Sequence, residues 1–216
     1  MNQSKLIRLA IILAIITVVY NLIEGLISIY YGMDDETLAL FGFGVDSFVE
    51  VISGVGILHL VLRMRKDQVI KRDQFERQAL RITGFAFYLL VAGLIIGSVL
   101  NIINQSVPET TIVGVIVSSI SIATMYFLMK AKLNVGQKLN SDAIIADANC
   151  TKTCFYLSLI LLASSGLYEL TGFAYLDILG SLGIAWFAFK EGKEAFYKAK
   201  SGNLSCCCED QCSSEK

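Results

Sequence analysis

Charge is scarce in this chain: only 17% of its 216 residues are Asp, Glu, Lys or Arg, against 55% hydrophobic. Mean hydropathy is +0.62. That balance excludes an ordinary soluble domain, which needs far more polar side chains to cover its surface. Proline is scarcer still, a single residue against 17 glycines, so long helices run uninterrupted and find small residues at which to pack closely. The one histidine, His59, falls near the end of an apolar run and reads as an interfacial residue rather than a ligand. Basic residues gather in short turns instead of one patch, which excludes nucleic-acid binding. No cleavable leader is expected either, because the first apolar run is too long for one and lacks a small-residue cleavage site.

What remains is apolar length. A membrane-spanning helix needs about 20 apolar residues, and six runs approach or exceed that: Leu9–Tyr31, Leu38–Leu62, Ile82–Ile103, Ile112–Met129, Ala143–Leu167 and Phe173–Phe189. The net charge of -1 conceals a strict segregation between them. Lys5 and Arg8 precede the first run. Arg63, Arg65, Lys66, Lys71, Arg72, Arg77 and Arg81 follow the second; Lys130, Lys132 and Lys138 follow the fourth; Lys190, Lys193, Lys198 and Lys200 close the sixth. The other three connections carry Asp34, Asp35 and Glu36, then Glu109, then Glu169, with no Lys or Arg. The positive-inside rule then places both termini in the cytoplasm. The expectation is an all-α polytopic membrane protein of six transmembrane helices, N-in and C-in. Residues 1–200 form one transport domain and 201–216 a flexible Cys-rich cytoplasmic tail.

Ionisable groups inside a bilayer cost about 2.5–3.5 kcal/mol each on insertion scales and are functional candidates by default. In the second run, Asp46 and Glu50 stand four apart on one helix face, where like charges repel unless a cation or proton lies between them. A protonated structural pair is the plain alternative. In the fifth run, Asp147, Cys150 and Cys154 share a stripe at i, i+3 and i+7. A lone membrane cysteine is usually a small hydrophobe; two beside an Asp suggest more. The two helices are antiparallel, so depth can be compared. At 1.5 Å per residue, Asp46 lies roughly 12 Å and Glu50 roughly 18 Å inside the outer boundary. Counted from the inner boundary of a core about 30 Å thick, Cys154 and Cys150 reach the same two levels. Two carboxylates and two thiolates can then form a tetrahedral site suited to Zn²⁺, with Cd²⁺, Co²⁺ or Fe²⁺ acceptable and Mg²⁺ or Ca²⁺ excluded by the sulfur.

These residues carry a family resemblance. The pair Asp46-x-x-x-Glu50, in the setting Ala39-Leu-Phe-Gly-Phe-Gly-Val-Asp46-Ser, resembles the D-x-x-x-D or H-x-x-x-D pair in the second helix of the cation diffusion facilitators. Ala146-Asp147-Ala-Asn-Cys150-Thr-Lys-Thr-Cys154 is similar to that family's A-D-x-x-H-x-x-x-D, with Cys150 at the His position and Cys154 at the second Asp position. Leu176-Asp177-Ile-Leu-Gly180-Ser181 resembles its D-P-x-x-S-L segment without the Pro, and Asn21-Leu-Ile-Glu24-Gly25 also looks familial. The resemblance implies a secondary transporter exporting Zn²⁺ or a related divalent ion, not an enzyme and without a prosthetic group. It also implies a homodimer. The family's usual cytoplasmic C-terminal domain is not matched by these motifs, and the expectation is a short, membrane-only member. Metal binding requires deprotonated thiols and carboxylates, so each ion displaces protons and export becomes metal/proton antiport.

Asp147, one turn toward the cytoplasm, reads as a secondary metal ligand guiding ions, with a helix-end role equally open. Cys206, Cys207, Cys208 and Cys212 read as reduced thiols on the cytosolic side that capture soft ions, or as a lipidated tail. Glu24 divides evenly between proton relay and structure, Asp177 inclines to structure, and Lys152 has no firm role beyond pairing with an acid. Gly93-x-x-x-Gly97 reads as a close-packing face or a lipid-exposed one. Two rival classes stand beside the transporter: a membrane thiol oxidoreductase using Cys150 and Cys154, and a non-transporting metal sensor. The expected location is a bacterial plasma membrane.

Overall fold

The computed structural model describes residues 3–35, 37–64, 72–104, 108–139, 142–173 and 175–201, and among them every regular element is an α-helix. The helices are α1 (Gln3–Asp34), α2 (Leu38–Met64), α3 (Arg72–Asn104), α4 (Ile112–Leu139), α5 (Asp142–Thr171) and α6 (Tyr175–Ser201). Five of the expected runs lie wholly inside one helix, and the sixth starts two residues ahead of α6. Five helices contain a stretch long and apolar enough to cross a membrane. The sixth, α6, has 27 residues, roughly 40 Å of helix. Its uncharged stretch is only Ile178–Phe189, between Asp177 and the Lys190–Glu191 pair. Position rather than apolarity makes it a member of the bundle, because it packs along α3 and against α2 and α5.

The helices also overrun their apolar runs, which corrects one expectation. Arg72, Arg77 and Arg81 belong to α3, and Lys130, Lys132 and Lys138 to α4, rather than to connecting loops. Backbone hydrogen bonding continues past the apolar segment wherever side chains find partners. Lys130 stacks over the Tyr126 ring at 4.3 Å, and Lys138 sits in the last turn of α4, where a cation complements the helix dipole.

The bundle is apolar outside and mixes apolar clusters with many polar groups inside. Ile12, Ile16, Val19, Ile23 and Leu26 of α1 face outward, as do Phe85, Leu89, Ile96 and Ile103 of α3. Thr17, Asn21, Glu24 and Ser28, at helical spacing on α1, are buried together with Asp46, Ser47, Ser121, Ser158 and Ser181. That inversion fits a lipid solvent, in which interhelical packing and hydrogen bonds replace the hydrophobic effect as the force between helices. Ser98 and Ser181 join α3 to α6 at 3.0 Å, and Ser158 donates to Ser121 across α5 and α4 at 2.9 Å. Each such bond contributes about 0.6 kcal/mol in membranes. One apolar cluster (Leu40, Phe43, Leu94, Leu161, Ile184) draws on α2, α3, α5 and α6, and a second (Leu13, Met125, Leu128, Ile144, Cys154) on α1, α4 and α5.

The end opposite the termini is built by capping. Thr37 and Thr111 accept the first helical bonds of α2 and α4, from Phe41 and Val115 at 3.1 Å each. A carboxylate from another helix completes both caps. Asp177 of α6 accepts from the Leu38 and Ala39 amides at 2.9 and 3.1 Å. Glu169 of α5 accepts from the Thr111 amide at 2.5 Å and from the Thr110 and Thr111 hydroxyls. Such acids satisfy otherwise unpaired N–H groups and favour the positive helix end. Gly172, at φ 66°, turns the chain from α5 to α6, its amide closing on Tyr168 O at 2.7 Å. The Gly93/Gly97 pair divides: a Cβ at Gly97 would meet Leu38 Cδ1 at 2.8 Å, whereas one at Gly93 would meet nothing within 4 Å.

Candidate metal centre

Helices α2 and α5 run antiparallel, and one turn of each faces the other inside the bundle. Asp46 and Glu50 project from successive turns of α2. Cys154 reaches them from α5, so that one oxygen of each carboxylate and the Sγ all lie within 4.8 Å of one another. Among the described residues this is the one group of three or more His, Cys, Asp or Glu side chains arranged to hold an ion. Asp46 is 3% and Cys154 4% exposed. The Cys154 thiol also bonds along its own helix to Cys150 O at 3.2 Å.

Cys150 is not the fourth member of that group. It lines a narrow adjoining cavity with Thr17, Glu50, Gly54, Asp147 and Thr151. Equal depth alone does not fix which side chains cluster without an ion: Cys154 joins the two acids, while Cys150 lies one turn away beside Glu50. Glu50 borders both places, the cluster on one side and the cavity on the other.

The surrounding shell comes from α1 and α4. Asn21, fully buried, donates through Nδ2 to Glu50 Oε2 at 2.7 Å. Its Oδ1 meets no hydrogen-bond partner among the described residues. One turn on, Glu24 accepts from Tyr20 OH at 2.8 Å and from the Ser47 hydroxyl at 3.2 Å. On the side of the chain termini, Asp147 is ion-paired with Lys132 of α4 at 2.8 Å. Lys132 is 1% exposed and also donates to Thr151 at 3.0 Å, while Thr151 donates to Asp147 O at 3.1 Å. The buried cation is thus Lys132 rather than Lys152, which lies exposed beside the Tyr156 ring.

Sequence reading passed over two of these groups. Lys132 was counted with a basic loop, yet Met125, Leu128, Lys132 and Val135 repeat at the spacing of one buried helix face. Glu191 was hidden among the lysines after the sixth run; it follows Ile184 and Ala188 on a buried face of α6 and accepts from Thr153 at 3.1 Å. Asp177 is the helix cap described above, His59 is exposed near the end of α2, and Cys206, Cys207, Cys208 and Cys212 lie outside the described residues.

Chemically, two carboxylates and a thiol converging in a dry bundle need positive charge or protons to coexist. Zn²⁺ binds such oxygens at about 2.0–2.2 Å and sulfur at about 2.3 Å, so the three donors would have to draw closer together to hold it.

Residues 10–201 match the family model of the cation efflux transmembrane domain. The chain is 28% identical over 184 residues to an uncharacterized transporter of Methanocaldococcus jannaschii, an alignment covering 81% of this chain and 64% of that protein. It is 26% identical over 194 residues to the manganese efflux system protein MneP of Bacillus subtilis, covering 84% of this chain and 64% of that one. The match therefore spans just under two thirds of either relative's length.

Proposed function

The chain belongs to the cation efflux family, and from that premise we propose that it is a secondary transporter carrying a divalent transition-metal ion across a membrane through Asp46, Glu50 and Cys154. The observation that carries the reading is the convergence of these three donors, from two antiparallel helices, inside a bundle whose outer surface is apolar. Asp147 and Cys150 border the adjoining cavity and serve as the approach to the centre. By the positive-inside rule the ends of α2, α4 and α6 that carry Lys and Arg are cytoplasmic, so this approach opens from the cytosol; the direction, export, is taken from the family, one of cation efflux. The ligands release protons when the ion binds and regain them from the far side, which couples export to proton entry.

A borderline ion such as Zn²⁺ suits two carboxylates and one thiolate. Manganese is a second reading with its own support: one thiol rather than two faces the cluster, and the B. subtilis relative is named for manganese efflux. The test is flux of Zn²⁺ and Mn²⁺ into proteoliposomes of the purified protein under an imposed pH gradient. Metal uptake that depends on the gradient and disappears in Asp46→Ala is the expected result. No flux of any divalent ion from correctly folded protein sinks the proposal.

A further inference from the structure

Two acids, Glu50 and Asp147, line the narrow cavity beside the centre, together with Thr17, Gly54, Cys150 and Thr151. Against two of these residues stands Lys132 of α4, 1% exposed. Its ammonium lies 2.8 Å from Asp147 Oδ2 and donates to Thr151 Oγ1 at 3.0 Å. Thr151 is held in turn by its bond to Asp147 O at 3.1 Å. Both partners of the buried cation therefore belong to the cavity wall. A buried ion pair is a poor source of stability, since apolar residues of similar size often do as well or better. Its place beside an ion path asks what the ammonium does there.

Resting on the transporter reading above, we propose that Lys132 is a tethered competitor of the cargo. Its ammonium occupies Asp147 while the approach is empty, yields that carboxylate to an arriving divalent ion, and reclaims it as the ion moves on. At equal distance a divalent ion gains about twice the Coulomb energy of a single charge on the same oxygen, so it displaces the ammonium. A monovalent ion gains nothing over a cation already tethered there at high effective concentration. The ammonium also cancels the Asp147 charge. Without it, Asp147 and Glu50 face one cavity with no cation between them, and an ion held by both leaves slowly. Passage needs sites weak enough to let go. Lys132 thus lowers the affinity of the approach and raises the rate of passage.

The sign of the effect separates this role from mere support. Lys132→Gln removes the charge and keeps a hydrogen-bond donor. Binding of Mn²⁺ and Cd²⁺ to the purified, monodisperse full chain is read by calorimetry at fixed pH, and flux in proteoliposomes under a fixed pH gradient. The expected result in Lys132→Gln is at least fivefold tighter binding of whichever ion the wild type binds. Half-maximal flux should come at a lower concentration, with the maximal rate down at least threefold. The gain in affinity should vanish when Asp147→Asn is added. Asp147→Asn alone should bind at least threefold more weakly than that double variant, because the ammonium then stands beside the cavity without its carboxylate. This arm serves even where Lys132→Gln does not fold, since removing both charges of a buried pair is often tolerated. Binding that is not tightened in folded Lys132→Gln overturns the proposal. So does tightening that survives in the double variant, or equal affinity in Asp147→Asn and the double variant; each leaves the transporter reading standing. Wild-type protein that neither binds nor carries these ions overturns both.

Discussion

Removing the Lys132 ammonium by Lys132→Met tests whether the bundle depends on charge pairing inside its core. In the native chain the ammonium and the Asp147 carboxylate are 2.8 Å apart, with side chains 2% and 10% exposed. Losing one partner of a buried pair strands the other charge and costs about 3–5 kcal/mol, whereas replacing both by apolar residues of similar size is often neutral or stabilising by about 1–4 kcal/mol. Lys132→Met also leaves the Thr151 hydroxyl without its donor, while Asp147 borders a cavity through which water offers partial relief. A cost near 3 kcal/mol, the lower end of that range, is therefore expected. Asp147→Leu should cost a similar amount, and the double variant much less than the sum. The measurement is reversible unfolding of the purified protein in mixed micelles, run as a double-mutant cycle without metal. A coupling energy of at least about 2 kcal/mol is expected for residues that share one interaction. If Lys132→Met costs under 1 kcal/mol, or the two single effects simply add, the pair is not the structural clamp the geometry describes.

The two cysteines should separate cleanly: Cys154→Ala weakens Zn²⁺ or Cd²⁺ binding at least tenfold, about 1.4 kcal/mol, and Cys150→Ala by less than threefold, as read by calorimetry; equal losses would return Cys150 to the ion. Asp177→Ala removes the acceptor of two amides at the start of α2 and should lower stability by about 1–2 kcal/mol in the same unfolding assay, with Asp177→Asn intermediate. Gly93→Ala should stabilise by up to about 1 kcal/mol through helix propensity, whereas Gly97→Ala should lose most or all of that gain because Leu38 must move aside; equal effects would contradict the packing. Burial, followed by the charges of Asp34 and Glu109, holds the Asp35 carboxyl above the ordinary carboxylate range. A raised folded-state pKa means that stability is lost as pH rises through it, so Asp35→Asn should gain stability at neutral pH. The gain, under about 1 kcal/mol after solvent screening, should vanish below about pH 3.9. A gain that persists there assigns the effect to something other than charge.

How much of this was legible beforehand depends on which physical signal each feature rests on. Helix number and order follow from apolar length, and five runs fall within the helices that formed. Helix ends do not follow from it, because the backbone keeps its own hydrogen bonds past the apolar segment; that is why α3 begins ten residues before Ile82 and α4 continues ten beyond Met129. Lys132 was misread for the same reason. A lysine beyond an apolar run reads as solvated until the facing helix is known to offer a carboxylate, and Asp147 lies on α5, beyond an intervening turn.

Depth along antiparallel helices was enough to bring Asp46, Glu50 and Cys154 together, since a 1.5 Å rise is the same in every α-helix. Which thiol sits nearest the two acids was not available from spacing alone: Cys154 clusters with them, and Cys150 lines the adjoining cavity beside Glu50. Asn21 was visible only as part of a familiar-looking segment. What distinguishes it is the bond from its Nδ2 to Glu50 on the neighbouring helix, which no one-dimensional pattern encodes. Donor spacing on α2 and α5 therefore points to the proposed centre, but not to the buried amide on α1 that holds one of its acids in place.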